Sequence, residues 1–267
     1  MSKKASINQI LKHPTVWQGR QRLSSQPVCS TGYEALDQQL YEGGWPQGAL
    51  SELLLPAPGV GELRILTPLL KRLSQSSGYI VLVNPPFIPY PPALRQQGIQ
   101  IEKVLVVRSE TVATTVWSAY QALVSKSCAA VLTWLPGRAP YRSEVRKLTL
   151  GAREGAAWAF LLRDESAHLH ASNAQLRLRL TPLPQGATQI AIIKQRGGWQ
   201  GRQVVLPLLS EQRAWTALPA AYWPCYQPSK PADTMLTPAL ANAIPRAIDK
   251  WLQQVSTPTS TTPPSIH

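Results

Sequence analysis

The chain has 267 residues, 44% of them apolar and 15% charged, and 27 Lys and Arg against 14 Asp and Glu give it a net charge of +13. This is enough apolar material for one core of ordinary size plus tails. The sequence has no apolar run of membrane-spanning length, and its start, MSKKASINQ, lacks the apolar stretch of a secretory signal, so a cytoplasmic protein without membrane contact is expected. Cys29, Cys128 and Cys225 are far apart, and His13, His168, His170 and His267 form no ligand set, which argues against a disulfide framework or a metal site.

Residues 1–27 read as a short amino-terminal helix around Ile10 and Leu11 followed by a linker. A core over 28–208 then follows an α/β rhythm: strand Leu50–Leu54, helix Glu62–Ser74, strand Tyr79–Val83, helix Pro91–Gln97, strand Val104–Val107 and helix Thr111–Ser125. Strand Ala129–Leu132, a basic helix Tyr141–Gly151 and strand Ala157–Leu162 continue it. Strands alternating with helices of this size predict a mostly parallel sheet flanked by helices on both faces. Beyond it the apolar period drops to two in Gln175–Leu180 and Thr188–Arg196, which predicts half-exposed antiparallel strands extending the sheet. Residues 209–267 are rich in Pro, Ser and Thr and are expected to be a largely flexible extension, with Pro238–Val255 as its one helical candidate.

Between Leu53 and Leu66 an apolar strand passes through the turn PAPGVG into a helix, the setting of a phosphate loop. A working G-x-x-x-x-G-K-[ST] loop needs a lysine on the terminal phosphates and a hydroxyl on Mg²⁺. With Gly61 as its last glycine, Pro56 takes the first glycine's place, Gly59 lies within the loop, and Glu62 and Leu63 replace the lysine and the hydroxyl residue. Either this is an ordinary strand-to-helix turn or it is a phosphate loop that has lost its chemistry.

The stretch before it, STGYEALDQQLYEGGWPQGALSE, resembles the entry to a RecA-type core through Ser30, Thr31, Gly32, Leu36, Asp37, Gly43, Gly44, Pro46, Gly48 and Glu52. The resemblance implies a RecA-like P-loop-type core extended by antiparallel strands. In its register Pro86 stands where such enzymes hold a water-activating glutamate, and Trp134 where they hold a metal-binding aspartate. No catalytic residue, cofactor or metal is therefore expected, and the protein reads as a non-enzyme. A RecA-like frame without nucleotide chemistry is similar to ImuA, the accessory protein of SOS mutagenesis, and to the smaller SulA. GGWPQGALSELLL, VLVNPPFIPYPPALR and KQRGGW carry the ImuA resemblance, which the longer chain favours.

The resemblance implies a non-catalytic adaptor in translesion DNA synthesis during the DNA damage response. Its partners would be RecA, the polymerase-like ImuB and the cassette's C-family polymerase. The alternative is a SulA-like inhibitor of cell division that binds the tubulin-like division protein. Lys194 and Arg196 match a basic pair that reaches a neighbour's nucleotide in RecA filaments; they equally suit an exposed strand end. Trp223 and Tyr226 on the extension, with Ile10 and Leu11, are the other partner-binding candidates. Trp45, Trp134 and Trp199 are expected at the sheet's ligand-binding edge. The dispersed positive charge suits steering toward an acidic partner as well as weak non-specific DNA contact.

Overall fold

The computed structural model describes residues 27–135 and 142–208. Ile10, Leu11, Trp223, Tyr226 and the Pro238–Val255 segment lie outside them. An eight-stranded sheet holds β3 (Leu50–Leu55), β4 (Tyr79–Val83), β5 (Val104–Val107), β6 (Cys128–Trp134), β7 (Trp158–Asp164), β8 (Leu176–Pro182), β9 (Ala187–Gln195) and β10 (Gln203–Pro207) in the order β10-β9-β8-β3-β7-β6-β4-β5. It is preceded by a small antiparallel pair, β1 (Val28–Cys29) with β2 (Trp45–Pro46), and by the one-turn helix α1 (Glu34–Asp37). Every pairing from β8 to β5 is parallel, and only β9 runs against its neighbours β8 and β10. The architecture is thus mixed α/β with a mostly parallel central sheet.

Two apolar clusters show that both faces of this sheet are covered. On one face α2 (Glu62–Ser74) sends Ile65, Leu66, Leu69, Leu70 and Leu73 against Leu53, Leu82, Leu132, Phe160 and Leu178. On the other, α4 (Val112–Val124) and α5 (Arg142–Gly155) bring Val116, Ala119, Leu123, Val145 and Leu148 to Leu50, Val81, Val131 and Leu161. A short helix, α3 (Pro91–Gln96), follows β4. Burial on both sides is why β4 and most of β6 read as apolar runs and not as alternating ones.

Pro68 sits inside α2 and cannot donate to the carbonyl of Arg64 one turn earlier. The Tyr33 hydroxyl donates to that carbonyl at 3.1 Å, so the entry segment repairs the gap in the helix. Burial pushes the Tyr33 phenol above its ordinary pKa, and the nearby Arg64 partly opposes this; the balance keeps the hydroxyl a donor.

The expectation for Gln175–Leu180 needs correction. Its strand, β8, is not half-exposed, and it pairs parallel to β3 on one side and antiparallel to β9 on the other. The polar partner in its alternation, Arg177, is buried and tied to a carboxylate across the sheet. Glu52 of β3 is fully buried; it accepts from Arg163 Nη1 of β7 at 2.9 Å and from Arg177 Nε. The other Arg177 nitrogens donate to the carbonyls of Ala167 (2.8 Å) and His170 (3.0 Å) and so pin the β7–β8 connection beneath the sheet. The alternation predicts a half-exposed strand because a period of two cannot distinguish water from a distant ion pair. Among the described residues no helix is long and apolar enough to cross a membrane.

Candidate functional site

Of the six parallel strands, β3, β4, β5, β6 and β7 end along the stretch of the carboxyl edge where α/β sheets place their ligands. A crevice of about 490 Å³ opens there. Its walls come from residues at or just past each strand end: Pro56 and Pro58 after β3, Pro85 and Pro86 after β4, Arg108 after β5, Trp134 and Leu135 at the end of β6, and Arg163 and Asp164 at the end of β7. Proline at these positions sets a rigid wall without amide donors. Asn84 turns the chain out of β4 with φ of 54° and keeps its amide bonded to the Val107 carbonyl at 2.7 Å.

The loop between β3 and α2 is closed from within. Gly61, left-handed at φ 107°, caps α2 and aims the loop amides inward. The Glu62 carboxylate turns back under them: Oε1 accepts the Gly59 amide at 2.8 Å and Oε2 the Gly61 amide at 3.2 Å. Glu62 is only 5% exposed. Backbone amides converging at a helix start form an anion cradle, and here the chain's own carboxylate fills it. A bound phosphate would have to displace Glu62 or lie against its charge. Leu63 packs half-buried against the apolar core.

Trp134 forms part of the crevice wall, 7% exposed, and its buried indole Nε1 has no hydrogen-bond partner among the described residues. Pro86 is exposed on the rim. Past it the chain puts Phe87, Ile88 and Tyr90 outward, 65%, 51% and 69% exposed. Phe87 lies over the loop, its ring 3.5 Å from where a Cβ on Gly59 would stand. A contiguous exposed group of large apolar side chains on a proline-stiffened segment has the character of a protein-docking surface. Composition gave no hint of it, although the run FIPY between prolines was a usable signal. Among the described residues no group of three or more His, Cys, Asp or Glu side chains is placed to hold a metal ion.

Lys194 and Arg196 lie at the opposite, amino edge, where Gln195 pairs with Leu176. Their side chains diverge. Lys194 folds inward, its Nζ donating to the Ser172 carbonyl at 2.7 Å, and burial followed by repulsion from Arg177 lowers its pKa. Arg196 stays exposed beside Tyr41 and Glu42, around a pocket of only about 20 Å³. The three tryptophans also part company. Trp45 is buried edge-on to Phe160 at 5.3 Å in the core, Trp199 is 78% exposed on the turn after β9 at the amino edge, and only Trp134 reaches the carboxyl edge. Turn residues in the sequence do not say which end of a strand the turn joins.

Comparison with known proteins bears on the region that builds this edge. The family model described as "Cell division inhibitor SulA" matches residues 48–159. Cell division inhibitor SulA of Pectobacterium atrosepticum is 27% identical over 147 residues, 55% of this chain and 87% of that protein. The SulA of Yersinia pestis (strain Pestoides F) is 29% identical over 116 residues, 43% of this chain and 68% of its own. The crystal structure of SulA from Pseudomonas aeruginosa has 24% identity, covers 42% of this chain and 96% of that one, and superposes with a TM-score of 0.36. The family and curated matches overturn the expected adaptor role in translesion synthesis and mutagenesis, because they name the division inhibitor that stood as its alternative. Over residues 48–159 the chain is similar to SulA, which supports a place in a SulA-like superfamily.

Proposed function

We propose that this protein is a SulA-like inhibitor of cell division that works by binding, not catalysis, and that its partner is the tubulin-like division protein. The observation that carries this reading is the SulA match itself, which spans β3 to the start of β7 and so covers the strands whose ends form the crevice and its rim. The carboxyl edge suits such a role. Phe87, Ile88 and Tyr90 offer large apolar anchors, and Arg108 adds an exposed positive charge beside them. Anchors of this kind ordinarily carry most of an interface's energy.

The frame is read as RecA-like in origin, with Glu62 in the place of a bound phosphate. This reading assigns the protein to the cytoplasm, where the partner polymerises, and to the SOS response. The test is expression of the full chain in dividing cells, together with a pelleting assay of the purified division protein and nucleotide. Filamentous cells and less pelleted polymer are expected, and changing Phe87 and Tyr90 together to Ser should reduce both effects about tenfold or more. Normal division and unchanged polymer in the presence of the folded full chain would overturn the reading.

A further inference from the structure

The turn between β9 and β10, residues 196–202 with the sequence RGGWQGR, lies at the amino edge of the sheet and outside the residues similar to SulA. Its Trp199 is 78% exposed, and Arg196 and Arg202 stand exposed on either side of it in the chain. We infer that this turn is a binding site for single-stranded nucleic acid, with the Trp199 ring as the platform for a base and the two guanidiniums on the flanking phosphates. The proposed function neither requires this site nor supplies it.

The turn is built to hold its backbone still. Gln195, only 7% exposed, donates from Nε2 to the Trp199 carbonyl at 2.6 Å while its Oε1 accepts the Tyr41 amide at 2.8 Å, so a buried side chain fixes the backbone of an exposed residue. Gly198 is pressed against the same two residues: a Cβ there would stand 2.6 Å from Gln195 Cδ and 2.7 Å from Tyr41 Cβ. Gly197, left-handed at φ 82°, lies along the Tyr41 ring, and Gly201, also at φ 82°, returns the chain to β10 with its amide on the Ile192 carbonyl at 2.9 Å. Trp199 therefore has a fixed base and an uncovered ring. Little ordering is left to oppose binding.

The chemistry of the turn selects the ligand. An indole face stacks on any base, and a guanidinium pairs bidentately with phosphate. Neither Arg196 nor Arg202 has an ion-pair partner among the described residues, so both charges are open to an anion. Glu42, half-buried, lines the small pocket beside Arg196, and the turn itself holds no carboxylate. The net charge of +13 draws polyanions to the molecule, and the turn gives them a ring to stack on. A carboxylate-rich peptide satisfies the arginines but offers the indole no π-face. Duplex bases are already stacked on one another, so the single strand is the fit.

The experiment is fluorescence anisotropy of labelled deoxythymidine and uridine single strands, long enough to span a site of about 4–16 nucleotides, titrated with the full chain at several salt concentrations. Both should bind, within about threefold of each other, because neither a ring face nor a guanidinium reads the sugar. Trp199→Ala should weaken both at least about fivefold and leave the salt dependence unchanged, and Trp199→Phe should restore most of the loss. Arg196→Ser with Arg202→Ser should instead make the salt dependence shallower by about 1.4, two phosphates at roughly 0.7 each. The substituted side chains are exposed, so every variant should keep the thermal midpoint of the parent. A parent that binds neither strand at low salt, binding confined to one sugar, or folded variants that bind as the parent does overturn the inference. So does tighter binding of a duplex of the same length. Polyglutamate that displaces the labelled strands as well as unlabelled oligonucleotide does also overturns it, because the turn would then be a dock for an acidic protein. No division protein is present, and the turn lies at the opposite edge from Phe87 and Tyr90. Failure here therefore leaves the proposed function standing, and failure of the polymer assay leaves this site standing.

Discussion

The two ends of β3 are finished in opposite ways. At its amino end the entry turn closes tightly: the Gln47 amide bonds the Pro27 carbonyl, the Gln47 side chain bonds the Ala156 carbonyl, and Gln195 ties the Tyr41 amide to the carbonyls of Gln39 and Trp199. At its carboxyl end prolines hold open a crevice, and large apolar side chains face outward. Polar pairing and close approach at one end make a rigid base; exposed apolar area at the other leaves a face with binding energy still to be used. Glu52 lies between them and locks three strands together, while Glu62 seals the loop above. Two carboxylates ten residues apart thus do the work of a clamp and a plug.

The largest effect is expected from breaking the clamp. Glu52→Gln keeps the shape but removes the carboxylate that the buried Arg163 and Arg177 share, and removing one partner of such a network costs about 3–5 kcal/mol. Urea unfolding should show a fall of that size with an unchanged slope. A loss below about 1 kcal/mol would mean that the arginines find water or other acceptors.

Next comes the amino-end turn. A Cβ on Gly44 would stand 2.3 Å from the Cys29 carbonyl oxygen, inside any tolerable contact, and backbone cannot yield as a side-chain tip does. Gly44→Ala should therefore cost about 1–3 kcal/mol by forcing β1 and β2 apart. Thermal unfolding checks it, and an unchanged midpoint would show that this end is looser than its hydrogen bonds imply.

The contrast between the two ends also explains what the sequence disclosed. Helix Glu62–Ser74 and strands Tyr79–Val83 and Val104–Val107 have the bounds expected from turn residues and apolar period, since both signals are local. The mostly parallel sheet followed from the alternation of those elements. Three features did not follow. Arg177 looked solvent-facing because its partner Glu52 is far away in sequence. Strand β10 went unassigned because Gln203–Pro207 is too short to show a period. In the sequence Glu62 shows only as a replacement for the loop lysine, and its role as acceptor for the Gly59 and Gly61 amides depends on a side-chain rotamer that no pattern reports. The Phe87 to Tyr90 surface was legible only as an apolar run among prolines, and whether such a run faces in or out is settled by packing.

Removing the plug should have a smaller effect than either change at the base. Glu62→Ala leaves the Gly59 and Gly61 amides without their acceptor, but Gly59 is exposed and water can replace part of what is lost, so about 1 kcal/mol is expected. The more telling measurement is inorganic phosphate titration followed by thermal shift. The parent should show none, and Glu62→Ala should gain a small stabilisation at millimolar phosphate through the emptied cradle. Identical behaviour of the two would show that the loop amides do not form an anion cradle.

The smallest effect concerns reactivity at the base, with no change in stability. Cys29 is buried beneath the entry turn, and burial raises its pKa above the ordinary thiol value even though Arg72, whose Nη1 lies 2.8 Å from its Sγ, pulls the other way. A thiol needs both exposure and thiolate character to react. Cys128, partly exposed beside Ser125, has more access. Alkylation at neutral pH, followed residue by residue by mass spectrometry, should therefore modify Cys29 about tenfold or more slowly than Cys128. Raising the pH should speed Cys29 late, because its folded pKa lies above the unfolded one. Each molecule that ionises there gives up part of its folding free energy, so the stability that burial of the neutral thiol supplies is kept at neutral pH and declines in the alkaline range. Gly44→Ala should erase much of the difference by loosening the Cys29 carbonyl from its turn. If Cys29 instead reacts as fast as Cys128 in the unaltered chain, the amino end opens often enough to be no more rigid than the edge that carries the docking face.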